Sequence, residues 1–578
     1  MKIAHKIKGQ FTGLGDSFLR FPVTAILSFS LMVILIIQNE QNIDGIYETE
    51  QLRRLAMTSA VGMLLSISLK QLQERFWPEK SALLVTIPPT ALAMAGYYLF
   101  FTKELDMVNG LRFAGTLVAL IIAIFYSLRL KNHADYEPYV VRVFNGFFIT
   151  VLYSGVLYFG ISAIIFTINA LFDAEIEGKW YLYFFLFVTF VFGALMFLSK
   201  LPKPSEDFLS REYSRPLKVL LLYIVIPLIT IYTGILYVYF IQILLTQEWP
   251  RGLVSNLVLW YSVVSAAVIF FITPILEENQ VARLFRTWFP RILLPILAMM
   301  FVSIGKRIQQ YGVTENRYLI VLLGIWVLVI MLYFVTRKRL TNIFIPVSLS
   351  IVALIAVYGP LSAFNVSSFS QNQRFTALLE KNSMLSSGQV VPGTDVSEED
   401  RRNISSIVSF FESRDLDAIR YLDADFEYNE FQSVFGFSRE SEYPYENEEY
   451  VYLSSNMEAN GMDISGFDYL FTMSNYMDAV TYEGITAQQK DITTLVLKRD
   501  DVVIMEENLL PQLMEIIDKH QGQMEKGQLA PEEAVILLEN DEAQVKVLIR
   551  ELAARKASDN GLQFDNLSLT VLVKDKTR

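Results

Sequence analysis

The chain has 578 residues, 53% of them hydrophobic and 19% charged, with a mean hydropathy of +0.36; a soluble globular protein carries about 25% charge, so that class is excluded for the chain as a whole. There is no cysteine, and His5, His133 and His520 are the three histidines, which rules out disulfides, thiolate metal sites and cysteine nucleophiles and leaves little for a histidine triad or zinc centre. Up to Phe364 there are 30 Lys+Arg against 21 Asp+Glu, and beyond it 19 against 39, so a basic apolar portion is joined to an acidic one.

Residues 1–20 carry Ile3, Ile7, Phe11, Leu14 and Phe18 at helical spacing with Lys2, Lys6 and Lys8 between them, the pattern of an amphipathic helix on the inner leaflet. The first apolar run, 21–37, is followed by Gln38-Asn39-Glu40 rather than a small-residue cleavage site, and reads as a retained span. Further runs cover 55–69, 83–101, 113–128, 143–168, 181–198, 219–245, 253–276, 292–304, 318–335 and 343–358. The runs at 55 and 292 are short for a bilayer and need their flanks or tilt. Trp180, Trp249 and Trp288 fall at run edges, as interfacial aromatics do. Gly155 and Gly160, on one apolar helix, signal helix packing rather than a nucleotide site.

Placing the N-terminus in the cytoplasm puts Lys70, Arg75, Lys80, Arg129, Lys131, Lys200, Lys203, Arg211, Arg215, Arg283, Arg286, Arg291, Arg337, Lys338 and Arg339 inside, for about 21 Lys and Arg inside against about nine outside. Eleven spans then carry the C-terminal portion to the exterior. Mid-depth Asp and Glu are nearly absent, which opposes a proton-coupled pump.

Gly359-Pro360 ends the last run. A short amphipathic helix over 370–385 presents Phe375, Leu378 and Leu379, and 386–397, rich in Ser, Gly and Pro, reads as a linker. Ser397 caps a helix with Ile404, Ile407, Val408 and Phe411 at core spacing. Strands are expected at 466–473, 492–498 and 502–505, the last two joined by Arg499-Asp500-Asp501. A helix is expected at 506–519; 534–538 fits either strand or helix, 544–556 reads as helix and 567–573 as a closing strand. The fold class is therefore mainly α: a polytopic transmembrane bundle of about eleven spans with a C-terminal extracytoplasmic α+β domain. The division is an amphipathic segment (1–20), the bundle (21–360), a stalk helix and linker (361–397) and the acidic domain (398–578).

Lys306-Arg307 and Arg317 place three cations on the outer side, where positive charge is otherwise scarce. With Tyr311 and Glu315 they form the candidate site, suited to an anionic headgroup or lipid-linked phosphate, or to docking the acidic tail. Asp423, Asp425, Glu427, Asn429 and Glu430 space oxygens like a calcium loop, but Tyr428 occupies the sixth position and the distal Glu is missing. A solvated acidic loop is expected there and over 440–449. No catalytic constellation, metal site or cofactor motif is found, and the acidic tail disfavours nucleic acid.

Phe289-Pro290-Arg291-Ile292-Leu293-Leu294-Pro295, Tyr311-Gly312-Val313-Thr314-Glu315-Asn316-Arg317-Tyr318 and Gly359-Pro360-Leu361-Ser362-Ala363-Phe364 with Ser370-Gln371 resemble a bacterial membrane family, domain of unknown function 4153. Phe410-Phe411-Glu412-Ser413-Arg414 and Phe435-Gly436-Phe437 are similar to it too, while Leu361 stands where that family has tryptophan. The resemblance implies a polytopic bacterial membrane protein and no particular activity.

Three functions fit. The leading one is a non-enzymatic anchor for an exported domain that binds an envelope protein or component, with membrane lipids around it. The second is a transporter or flippase of an anionic or lipid-linked substrate, gated by Lys306, Arg307 and Arg317. The third is a membrane glycosyltransferase using a lipid-phosphate sugar donor, with Glu40, Asp44, Glu48 and Glu50 in a short first outer loop.

Overall fold

The computed structural model describes residues 15–43, 49–103, 106–131, 135–172, 174, 176–206, 213–246, 253–337, 341–393, 395–412, 414, 419–422, 426, 430–439, 450–455, 464–474, 479–520, 528–530, 532–556 and 562–577. The segment 1–14, most of the acidic loop at 423–430 and the stretch 440–449 lie outside them. The chain divides into two compact units, 1–438 and 439–578.

Every apolar run of the first unit is a helix. They are α1 (Pro22–Ile43), α2 (Thr49–Phe76), α3 (Ala82–Phe101), α4 (Met107–Ile124), α5 (Tyr136–Phe172), α6 (Lys179–Lys200), α7 (Arg215–Thr246), α8 (Leu253–Ile272), α9 (Gln280–Tyr311), α10 (Glu315–Thr336) and α11 (Phe344–Val357). Ten helices among the described residues are long and apolar enough to cross a membrane, and α11 is a shorter apolar helix of 14 residues. The two short runs are the centres of α2 and α9, of 28 and 32 residues, whose polar flanks continue the helix; at 1.5 Å per residue these are about 42 and 48 Å long. Six-residue π-helical stretches interrupt α6 at Val188–Gly193 and α7 at Leu220–Val225.

The centre of the bundle is dry and apolar: Ile269 of α8, Leu293, Ile296, Leu297 and Met300 of α9, and Val327, Ile330 and Met331 of α10 are fully buried together. The exterior is apolar as well. Phe148, Val156, Phe159 and Phe166 of α5 are each more than half exposed, a surface that suits hydrocarbon and not water. Gly155 and Gly160 face open space, so among the described residues no helix packs at these glycines.

After α11 the first unit continues through α12 (Ala363–Lys381), a β1–β2 hairpin (Leu385–Ser386 and Gln389–Val390), α13 (Glu398–Glu412) and α14 (Phe431–Phe435). The hairpin occupies part of the expected linker and turns on Ser387 and Gly388, at φ 52° and 83°. Ser397 Oγ accepts from the Asp400 N–H at 3.2 Å, capping α13 as its sequence demands. Ile404, Ile407, Val408 and Phe411 pack with Phe375, Leu379 and Phe435 in a separate core, so 398–438 is built with the first unit.

Among its described residues the second unit has two antiparallel-rich sheets and one helix. A four-stranded sheet runs β5 (Val480–Tyr482), β6 (Ile485–Gln489), β7 (Thr494–Arg499), β8 (Val502–Asn508). Asp500 and Asp501, at φ 44° and 67°, make the two-residue turn between β7 and β8. The larger sheet has the order β4-β12-β11-β3-β9, from β4 (Tyr469–Met473), β12 (Leu562–Asp575), β11 (Ala543–Lys556), β3 (Tyr450–Ser455) and β9 (Gln528–Leu529), with β10 (Val535–Glu539) beside the first half of β11. Leu513 and Ile517 of α15 (Leu510–His520) close the core against the sheets.

The helix expected over 544–556 is corrected: it is strand β11, paired along its length with β12. Glu551, Leu552, Ala553, Ala554 and Arg555 are good helix formers, but Val545, Val547 and Ile549 alternate into the core at the period of a strand. Thirteen partnered positions on β12 decide the outcome, an instance of tertiary pairing overriding local propensity.

Candidate functional site

Helix α9 ends at Tyr311 and, like any helix, leaves its last carbonyls without intrahelical donors. The loop that follows supplies them from cations. Arg317 Nη1 donates to the carbonyls of Gly312 (3.0 Å) and Tyr311 (3.3 Å), and its guanidinium lies 5.4 Å from the Tyr311 ring centre. From α12, Arg374 Nη1 donates to the Tyr311 carbonyl at 2.7 Å and Nη2 to that of Gln310 at 3.2 Å, while Gln371 Nε2 donates to Tyr311 and Val313 carbonyls at 3.2 and 3.0 Å. Positive charge at the negative end of a helix dipole is favourable. Burial lowers the Arg374 guanidinium from its ordinary value, and the neighbouring Arg317 charge adds to this.

Gly312 makes the turn possible. It sits at φ 69°, ψ −178°, a region open essentially to glycine alone, and a Cβ there would come 2.5 Å from Arg374 Cδ. Ser370 Oγ accepts from the Val313 N–H at 3.0 Å. Three residues on, Glu315 opens α10 with a carboxylate only 6% exposed. Arg414 grips it with Nε and Nη2 at 2.8 and 2.9 Å, and Ser367 Oγ donates to the same carboxylate at 3.0 Å. Arg414 itself lies 3.9 Å over the Phe410 ring and donates to that residue's carbonyl at 2.6 Å.

Of the residues singled out in the sequence, Tyr311 and Arg317 therefore meet in one hydrogen-bonded set, and Glu315 belongs to a second set with Ser367 and Arg414. Lys306 is exposed and Arg307 half-buried, a turn or more earlier on α9; Arg307 makes no hydrogen bond or ion pair among the described residues. The sequence reading missed Ser367, Arg374 and Arg414 as members. Ser370-Gln371 and Phe410 to Arg414 stood out as motifs, but nothing local tied them to Glu315.

Other charges near helix ends form ion pairs as well. Arg20 holds Glu74 through Nε and Nη2 at 2.8 and 2.7 Å and donates to the carbonyls of Leu201 and Pro202 at 2.7 and 2.8 Å. Arg129 and Asp135, both nearly inaccessible, pair at 3.2 Å. Glu40 accepts from Tyr183 Oη at 2.6 Å and pairs with Lys179 at 3.4 Å, tying α1 to α6; Glu50 is exposed, and Asp44 and Glu48 lie outside the described residues. Two apolar depressions mark the exterior: one of about 540 Å³ along Ile231, Ile235 and Val238 of α7, and one of about 260 Å³ along Ile164, Ile168 and Phe172 of α5. Neither borders Lys306, Arg307 or Arg317.

A bundle of this length and apolarity, carrying a polar loop network and followed by a sheet unit, defines a multi-pass membrane protein. Within that class the chain belongs to the family described as domain of unknown function (DUF4153), which it matches over residues 23–390. The match takes in Gly312, Glu315, Ser367 and Arg374, and Arg414 lies beyond it. A protein of Pasteurella multocida (strain Pm70), named "Uncharacterized protein PM1469", is 20% identical over 342 residues, 55% of this chain and 57% of that protein. The chain thus matches little more than half the length of this relative. No solved structure matches it.

Proposed function

We propose that this chain is a non-enzymatic membrane anchor of the bacterial cell envelope, whose bundle mounts the 439–578 unit on the extracytoplasmic side for binding an envelope partner. The observation that carries this reading is the buried Glu315–Arg414 pair. It fastens the segment after α13 to the first turn of α10, within the first unit. Of the three cations that would gate an anionic substrate, Arg317 is engaged in capping α9, which speaks against its part in the flippase reading. Glu40, one of the four acids proposed for a glycosyltransferase base, is taken up by Tyr183 and Lys179.

The absence of cysteine makes the test direct. A single cysteine at Glu507, exposed on β8, is treated in intact cells with a membrane-impermeant maleimide. Labelling of intact cells is expected, and labelling only after lysis would overturn the exported placement. For the partner, a photo-crosslinking residue at the same position is expected to give one discrete adduct that competes with added 439–578 unit. Crosslinks to lipid alone, or none, would remove the binding role.

A further inference from the structure

Several buried hydrogen-bond donors among the described residues of the first unit lack an acceptor, and two of them lie on the consecutive helices α3 and α4. Tyr97, near the end of α3, is 6% exposed and its hydroxyl has no partner; the Nε–H of Arg112, on α4, is also buried without one. Tyr97 is linked to α4 through Phe101, which packs on both Tyr97 and Tyr358, the residue after α11, and through the Tyr358 hydroxyl bonded to Thr116, one turn from Arg112. A guanidinium only donates, so the missing partner of Arg112 is an acceptor. The surroundings do not provide it. Arg112 Nη1 is spent on Asn109 Oδ1 at 3.0 Å, the Phe364 ring lies 5.8 Å away, and the Tyr358 hydroxyl is bonded to Thr116 Oγ1 at 2.8 Å. Phe101 walls the cluster, 5.7 Å from the Tyr97 ring and 5.0 Å from that of Tyr358. On α2, Arg54 is stacked 4.5 Å from the Tyr98 ring, with long bonds of 3.3 and 3.4 Å to Thr102 Oγ1 and the Tyr98 carbonyl. Neither Arg54 nor Arg112 has a carboxylate partner among the described residues.

Depth narrows the ligand. Tyr97, Arg112 and Arg54 each sit four or five residues inside a helix end, about 6–8 Å at 1.5 Å per residue. That is the boundary between hydrocarbon and headgroups, where an unpaired guanidinium is costly and phosphate is abundant. A water oxygen would accept the hydrogen bonds and leave the charge uncompensated. A phosphate does both, and its oxygens match the guanidinium fork. We infer that Arg112 and Tyr97, with Arg54 adding charge, form a site for the phosphate of an anionic phospholipid headgroup.

The test uses the full chain in a neutral detergent, titrated with short-chain phosphatidylglycerol, with short-chain phosphatidylcholine or with inorganic phosphate, and read by thermal melting and by native mass spectrometry. Phosphatidylglycerol is expected to raise the melting temperature saturably and to remain bound at one copy. Arg112→Gln should weaken that binding about tenfold or more and Tyr97→Phe several-fold, as loss of charge-assisted hydrogen bonds does, while Arg283→Gln, at an exposed position of α9, leaves it unchanged. Tyr97→Phe keeps the ring, so it serves if Arg112→Gln fails to fold. Equal binding by Tyr97→Phe and the parent chain would overturn the site. Inorganic phosphate acting at the same concentration as phosphatidylglycerol would overturn the lipid source, and no saturable effect of either would leave only a buried water.

Discussion

Arg414 holds both carboxylate oxygens of Glu315 across 99 residues of sequence. The carboxylate is the first residue of α10, where the helix dipole favours negative charge, and Ser367 gives it a third donor. Three elements that follow one another only at long range (α10, α12 and the end of α13) are thereby joined at one buried charge.

Breaking a buried pair from one side strands the other charge, at a cost of about 3 kcal/mol at the lower end of the usual range, since Arg414 is partly exposed. Glu315→Ala and Arg414→Ala should each lower the apparent melting temperature in detergent, and protease should then cut between α12 and α13. The double variant should lose little more than either single one. Additive losses would mean that the two residues act separately.

Gly312 offers a sharper contrast. Gly312→Ala meets both a glycine-only backbone and Arg374 Cδ at 2.5 Å, whereas Gly359, at φ 79°, has open space where a Cβ would go. Backbone strain of this kind costs about 1–3 kcal/mol. Gly359→Ala should carry that strain alone, and Gly312→Ala should exceed it by the displacement of Arg374. Comparable melting temperatures for the two variants would show that Arg374 does not need its present position.

The helices were readable because lipid imposes long apolar runs, and the capping of α13 by Ser397 was readable because the rule is local. The stretch from Lys306 to Arg317 was visible as an anomaly, three cations on the wrong side by charge count. Its explanation was not: Arg317 serves α9 carbonyls, and Arg374 and Arg414 arrive from 57 and 97 residues further along than Arg317, where no periodicity could link them. Strand β11 failed for the opposite reason. Its Glu551 to Arg555 half carries a strong local preference, and only the partner strand β12 shows that the preference loses.

Acid should loosen the packing of α12 on α13. Burial raises Asp400, but hydrogen bonds from Lys381, Asn382 and Ser397 outweigh it and hold the carboxyl below its ordinary value of 3.8. A carboxylate lowered in the folded state contributes stability that is full above that ordinary value and fades as pH falls through the lower folded one. The melting temperature of the parent chain should therefore exceed that of Asp400→Asn at pH 6, with the gap closing below about pH 4. A gap that stayed constant to pH 3 would mean that the Lys381 pairing contributes nothing.

The second unit needs its own probe, because all six tryptophans, Trp77 to Trp326, lie in the first. Hydrogen exchange of peptides from β11 and β12 reports on it directly. Leu567, fully buried on β12 opposite Leu552, should cost about 2–5 kcal/mol as Leu567→Ala. Leu537→Ala, at a position 69% exposed on β10, should stay within about 0.5 kcal/mol. The same measurement separates strand from helix over 543–556: Val545→Ala and Val547→Ala should each open the sheet, and Lys546→Ala between them should not. A helix would instead couple Val545 with Ile549 and leave Val547 on another face, so equal effects at Val545 and Val547 carry the strand assignment.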